Sequence, residues 1–154
     1  MREVSVQRLT EAISEAVILA NTVMTPDIEA RLHAGLSDEA TPVARAVISD
    51  LLENAAIARA EHVPMCQDTG MVVVYLTFGQ DVRWLDGSVE EAINEGVRRG
   101  YRDGYLRFSV VADPLRRANT RDNTPAIIHY RLVPGEDVCV TSCPRASARR
   151  IAAA

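Results

Sequence analysis

The chain contains no lysine: all 17 of its basic residues are arginine. Arginine has GC-rich codons and lysine does not, so this absence marks the base composition of the gene before it marks a function. Acids outnumber the arginines 21 to 17, which leaves a net charge of −4. A nucleic-acid binder needs a basic face to neutralise phosphate, so that class is not expected. No apolar run approaches the roughly 18 residues of a membrane-spanning helix, and no membrane association is expected. Met1-Arg2-Glu3-Val4-Ser5 leads into a charged, amphipathic pattern with no apolar signal core, so the expected location is cytoplasmic. Cysteine is scarce and odd in number: Cys66, Cys139 and Cys143 form no disulfide framework. The C-x3-C pair is not a zinc-ribbon spacing and reads as incidental. Acidic residues are also absent after Asp137, while Arg145, Arg149 and Arg150 follow it. The first 137 residues therefore carry −7 and the last 17 carry +3.

What remains is sufficient for a folded unit. At 154 residues the chain is about one domain, and 47% hydrophobic residues are too many for a disordered one. Val6, Leu9, Ile13 and Val17 recur at helical spacing and predict a helix from about Val4 to Asn21. Thr25-Pro26 and Thr41-Pro42 each place a cap before a proline suited to the first helical position. The helix from Pro26 should stop near Gly35, and the one from Pro42 should end before Pro64. That third helix carries Val43, Val47, Ile48, Leu51, Leu52 and Ala55 on one face, as a core-facing helix would. The period then changes. Residues 71–78 form an unbroken β-branched and aromatic run between Gly70 and Gly79, the pattern of a strand buried on both faces. Ser88-Val-Glu-Glu91 is a capping box opening a helix to about Arg102. Residues 126–133 and 137–141, joined through Pro134-Gly135, read as two antiparallel strands with a short turn. The expected fold class is α+β or mixed α/β, with N-terminal helices followed by a mixed sheet.

Two polar segments carry groups able to do chemistry. In Pro64-Met65-Cys66-Gln67-Asp68-Thr69-Gly70 a thiol, an amide, a carboxylate and a hydroxyl fall on consecutive residues before a strand, where loops mount functional groups on a rigid element. The alternative is structural: Asp68 and Thr69 close a turn and Cys66 packs as a small hydrophobe. A cysteine-nucleophile enzyme is a third reading, but His33, His62 and His129 offer Cys66 no recognisable base context. Further along, Arg107 stands between Leu106 and Phe108, a setting that could hold its guanidinium partly buried for carboxylate recognition or for a salt bridge. Asn119, Thr120, Asp122, Asn123 and Thr124 are more turn-forming side chains than a plain connection needs.

Together these segments carry a resemblance. Met65-Cys66-Gln67-Asp68-Thr69-Gly70, Leu106-Arg107 with Ala112-Asp113-Pro114-Leu115, and Asn119-Thr120-x-Asp122-Asn123-Thr124-Pro125-Ala126 resemble, in order, the N-terminal catalytic region of the iron–sulfur hydro-lyases. That family comprises class I fumarate hydratase and L(+)-tartrate dehydratase, and residues 5 to 141 are similar to its alpha subunit. The resemblance implies reversible addition of water to a C4 dicarboxylate, fumarate to malate, with tartrate dehydration as the alternative. It implies a [4Fe–4S] cluster held by three cysteines, with one iron open as a Lewis acid to polarise a departing hydroxide. Cys66 matches the first cluster ligand and Asp68 the acid/base carboxylate. Gln67 matches a substrate-contacting amide and Arg107 the arginine that grips a substrate carboxylate. The asparagine–threonine block is expected mainly to shape the site. The implied partners are a beta subunit or C-terminal domain within a homo- or hetero-oligomer.

The match stops at Ser142, where the family continues with a glycine-rich loop of the type Lys-Gly-x-Gly-Ser-Glu-Asn. A set of synonymous codons for residues 143 to 151, TGC CCA AGG GCT TCG GCT CGG AGA ATC, reads Pro-Lys-Gly-Phe-Gly-Ser-Glu-Asn when begun two bases later. The expectation is therefore that residues 1–141 are the N-terminal part of a truncated catalytic domain. Residues 142–154 are then expected to be a frameshifted, disordered tail. A chain of this kind lacks the two further cluster cysteines and should be inactive alone. Cys139, inside a predicted strand, is not expected to replace them. The rival reading is an inactive remnant that only binds a partner.

Overall fold

The computed structural model describes residues 1–144 and 149–153, from residue 142 onward through the backbone alone. In chain order the elements are β1 (Arg2–Ser5), α1 (Val6–Thr22), α2 (Pro26–Asp38), α3 (Pro42–Glu61), β2 (Val72–Gly79), β3 (Val82–Leu85), α4 (Val89–Asp103), β4 (Ile127–Val133), β5 (Val138–Pro144) and β6 (Arg149–Ala153). Helices combine with a mixed sheet in an α+β arrangement, as the sequence pattern predicts. None of the helices is long and apolar enough to cross a membrane among the described residues.

The sheet has the order β4-β2-β5-β6, with β4 parallel to β2 and β5 antiparallel to it. β1 and β3 form a separate parallel pair. Val72, Val74 and Leu76 on β2, with Val138 and Val140 on β5, turn toward α1 and α4. There they meet Ile13, Val17, Ile93, Val97 and Tyr101, all inaccessible to solvent. α1 and α4 lie close because glycines face α1: a Cβ on Gly96 would come within 2.7 Å of both the Ile13 Cβ and the Thr10 carbonyl oxygen. The approach is bridged by the Thr10 hydroxyl, which donates to the Ala92 carbonyl at 3.0 Å.

Several expectations change. The N-terminal residues 2–5 are a strand, and Ser5 is the N-cap of α1, its hydroxyl accepting from Gln7 N–H at 3.3 Å. β4 and β5 are not a hairpin, because β2 lies between them. The short connection crosses the end of β2, with Gly79 N–H donating to Asp137 O at 2.8 Å and Asp81 N–H to Gly135 O at 3.0 Å. Only glycine fits under it, since a Cβ on Gly79 would sit 1.9 Å from Gly135 O. The apolar face of α3 is largely open to solvent, with Val43 74%, Val47 53% and Leu51 46% exposed, since α3 packs mainly on α2, which buries no residue of its own. β2 is covered on one face only, leaving Tyr75 about half exposed on the other.

Where described, the tail expected to be disordered is in strands: residues 142–144 extend β5, and 149–153 form β6 along its outer edge. An unpaired edge leaves backbone N–H and C=O groups to be satisfied, and a ladder does so through backbone atoms whatever the side chains are. Strand pairing therefore carries no information on the reading frame. Residues 145–148 and 154 lie outside the described residues.

Candidate active site

The polar loop before β2 is held from both sides. His62 ends α3 in a left-handed conformation, φ 55°, and Val63 N–H closes back on Ala58 O at 3.2 Å. Met65 N–H donates to Asn21 O at 2.9 Å, and Met65 O accepts from Asn54 Nδ2 at 2.9 Å. α1 and α3 thus fix the start of the loop. Within it the Asp68 N–H points at Cys66 Sγ (3.5 Å), and Asp68 Oδ1 accepts from Gly70 N–H at 3.0 Å. Gly70, at φ 62°, takes the left-handed conformation that turns the chain into β2.

Cys66, Gln67 and Asp68 are all exposed, as is Arg107. Cys66, Gln67 and Arg107 line one open groove with Pro64, Thr69 and Tyr105. Asp68 instead lines an adjacent groove with Gly70, Met71, Ser109, Val110 and Val111. Three of the four expected site residues thus line one groove, and Asp68, whose Oδ1 accepts from Gly70 N–H, lines the other.

Arg107 is not partly buried between Leu106 and Phe108. Only Leu106 turns into the core, so the guanidinium projects to solvent, where no carboxylate pairs with it among the described residues. Within the described residues the guanidinium thus makes no ion pair, and it lines the groove with Cys66 and Gln67. The segment 107–111 is fastened from behind: Asn119 Nδ2 donates to Phe108 O at 2.9 Å, and Asn123 Oδ1 accepts from Ser109 N–H and Val110 N–H at 2.6 and 3.0 Å. Asp122 pairs with Arg98 of α4 at 3.1 Å. The asparagine-rich block thus fastens the segment that carries Arg107 to its surroundings.

Sequence reasoning missed Tyr101. Its hydroxyl reaches Thr69 O at 2.7 Å and Gly70 O at 2.9 Å, and burial pushes its pKa up to about 12. Its only signal in the sequence is a hydroxyl on the buried Ile93, Val97, Tyr101 stripe of α4. Cys139 projects away from the α1–α4 side, in register with Thr77, roughly 17 Å along β2 from the loop. Among the described residues no three His, Cys, Asp or Glu side chains gather to hold a metal ion.

Residues 10–147 match the family model described as fumarate hydratase (Fumerase). The chain is 39% identical over 101 residues to fumarate hydratase 2 of Leishmania major, covering 64% of this chain and 18% of that protein. It is 33% identical over 138 residues to the anaerobic class I fumarate hydratase of Escherichia coli, covering 88% and 25%. A Methanocaldococcus jannaschii protein provisionally named L(+)-tartrate dehydratase subunit alpha is 28% identical over 117 residues, covering 75% and 41%. The matches span between 18% and 41% of the length of these relatives.

Proposed function

From a chain that belongs to the fumarate hydratase family, we propose that the groove beside Arg107 is the dicarboxylate-binding part of a hydro-lyase that interconverts fumarate and malate. The observation that carries this reading is an exposed guanidinium with no carboxylate partner among the described residues, set in one groove with Cys66 and Gln67. A planar guanidinium grips a carboxylate through two parallel hydrogen bonds. The Gln67 amide orients the bound substrate. Asp68, across the loop, carries a carboxylate Oδ2 that has no hydrogen-bond partner among the described residues, and it moves the proton on carbon. Similarity to a tartrate dehydratase alpha subunit keeps L(+)-tartrate as the second substrate.

A [4Fe–4S] cluster does not fit this chain by itself. It needs three thiolates, and Cys66 is the one cysteine that the described residues bring to the groove. In this proposal the cluster belongs to the assembled protein, with Cys66 as one ligand and the others supplied from outside the chain. The partner is a beta subunit or further domain. Supporting this, the parallel β2–β4 pair leaves Tyr75, Ile127 and His129 on an open face, whereas parallel strands are ordinarily covered on both. A frame slip near Thr141 or Ser142 is part of the same reading, since one choice of synonymous codons for the tail, read two bases later, encodes the glycine-rich loop.

The test expresses the chain as it stands and with the frame restored, each with a beta subunit. Iron and sulfide are reconstituted anaerobically and fumarate absorbance is followed. The restored protein should hydrate fumarate only after reconstitution, and the chain as it stands should not. A restored protein without cluster or turnover refutes the proposal in favour of a partner-binding remnant. An uninterrupted frame in the DNA across the Thr141–Ser142 junction refutes the slip.

A further inference from the structure

The loop bearing Cys66, Gln67 and Asp68 and the segment bearing Arg107 belong to different parts of the chain, and one buried polar network joins them. Tyr101 and Asn123 are both 0% exposed and Thr69 is 3% exposed. The Thr69 hydroxyl donates to Arg107 O at 2.9 Å. Gly70 O accepts from the Tyr101 hydroxyl at 2.9 Å and from Asn123 Nδ2 at 3.0 Å. The single Tyr101 proton is shared with Thr69 O. The other end of the Asn123 amide holds Ser109 and Val110. Every bond lands within two residues of Asp68 or three of Arg107. Burying so many polar atoms is costly unless each is matched, and a matched network fixes one geometry where apolar packing would tolerate several. Asn123 is built for this position, at φ 59°, a left-handed conformation that asparagine adopts more readily than most residues.

We propose that Tyr101, which ties the Asp68 loop to α4, and Asn123, which ties the same loop to the Arg107 segment, are positioning residues that together form a lock, fixing the separation between the acid–base carboxylate and the substrate-gripping guanidinium. The functional part rests on the hydro-lyase reading above. The lock itself does not.

In the frame-restored, reconstituted enzyme, Tyr101→Phe should lower kcat roughly 10- to 100-fold with iron content unchanged, because small displacements of reacting groups are expensive. Thr69→Val, which releases only the Arg107 carbonyl, should act mainly on KM. Parent-like kinetics in both variants overturn the proposal. A parent enzyme with no turnover overturns the hydro-lyase reading, and the lock is then read by amide hydrogen exchange on the chain itself. Tyr101→Phe should speed exchange at Ser109 and Val110, which Tyr101 does not bond, by roughly tenfold, while α1 keeps its protection. Unchanged exchange at those two amides, or an equal loss across α1, overturns it. If Tyr101→Phe fails to fold, Thr69→Val carries the same exchange test.

Discussion

Glycine to alanine should have opposite signs on two helices of this chain. In a helix interior alanine is favoured over glycine by about 0.8–1.0 kcal/mol, so the substitution stabilises wherever space allows. At Gly35 in α2 it does: the nearest atom to a new Cβ is Ile48 Cδ1 at 3.8 Å, an ordinary contact with a flexible tip. At Gly96 in α4 the new Cβ meets Ile13 Cβ and Thr10 O at 2.7 Å and Ile13 Cγ2 at 2.9 Å. Two of these atoms are backbone or backbone-anchored, and neither gives way by rotating a side chain. α1 and α4 must separate, which loosens Ile13, Val17, Ile93 and Val97 and stretches the Thr10 to Ala92 bond. Overpacking costs of about 1–3 kcal/mol, with about 1 kcal/mol more for the bond, exceed the propensity gain. Gly96→Ala should therefore destabilise by about 1–3 kcal/mol, and Gly35→Ala should stabilise by up to about 1 kcal/mol. Urea unfolding followed by circular dichroism, with m-values compared to confirm that only the midpoint moves, measures both. A Gly96→Ala variant as stable as Gly35→Ala would refute the close α1–α4 contact.

Alkaline unfolding should report the buried tyrosine. Its pKa rises from 10.0 to about 12 through burial, so the folded state keeps a proton that the unfolded chain loses. Stability should hold below pH 10 and fall toward pH 12, and Tyr101→Phe should flatten that limb in denaturation curves taken at each pH. In the reconstituted enzyme Arg107→Lys keeps the charge but loses the bidentate fork. KM for fumarate should rise roughly 10- to 100-fold, and initial rates across fumarate concentrations check it. Asp68→Asn retains an oxygen able to accept from Gly70 N–H while removing the base. It should lower kcat by roughly 100-fold or more with KM little changed in the same assay.

The starts of α2, α3 and α4 were legible because their signals are local: proline follows Thr25 and Thr41 in the first turn, where neither threonine side chain makes a cap bond, and Ser88 Oγ accepts from Glu91 N–H at 3.5 Å. Strand partners were less legible, because pairing is not local. Residues 126–133 and 137–141 have the pattern of a hairpin, yet β2 pairs with both and separates them. The signal for that lay at Gly79, the one position beneath the crossing loop where a side chain has no room. The apolar face of α3 has the right period for a core helix. Period states that a face is apolar and leaves open what covers it, and within the described residues α2 covers only part.

The site divides along the same line. Groups proposed to face a substrate must be exposed, and Cys66, Gln67, Asp68 and Arg107 stand out in sequence as polar groups, although Asp68 also closes a turn on Gly70 N–H. Residues that hold them must be buried. Tyr101 therefore sits at an apolar helix position and passes for core, and Asn123 passes for loop polarity. Its distinction within the block is visible only in three dimensions. Asn119 bonds Phe108 and Asp122 bonds Arg98 and Thr124, whereas Asn123 alone among the three reaches both the Asp68 loop and the Arg107 segment. On the proposed reading a motif names the groups that act, while the distances between them are held by side chains whose burial makes them resemble ordinary structure, so Tyr101 tests the proposed site more sharply than any residue the sequence pattern singles out.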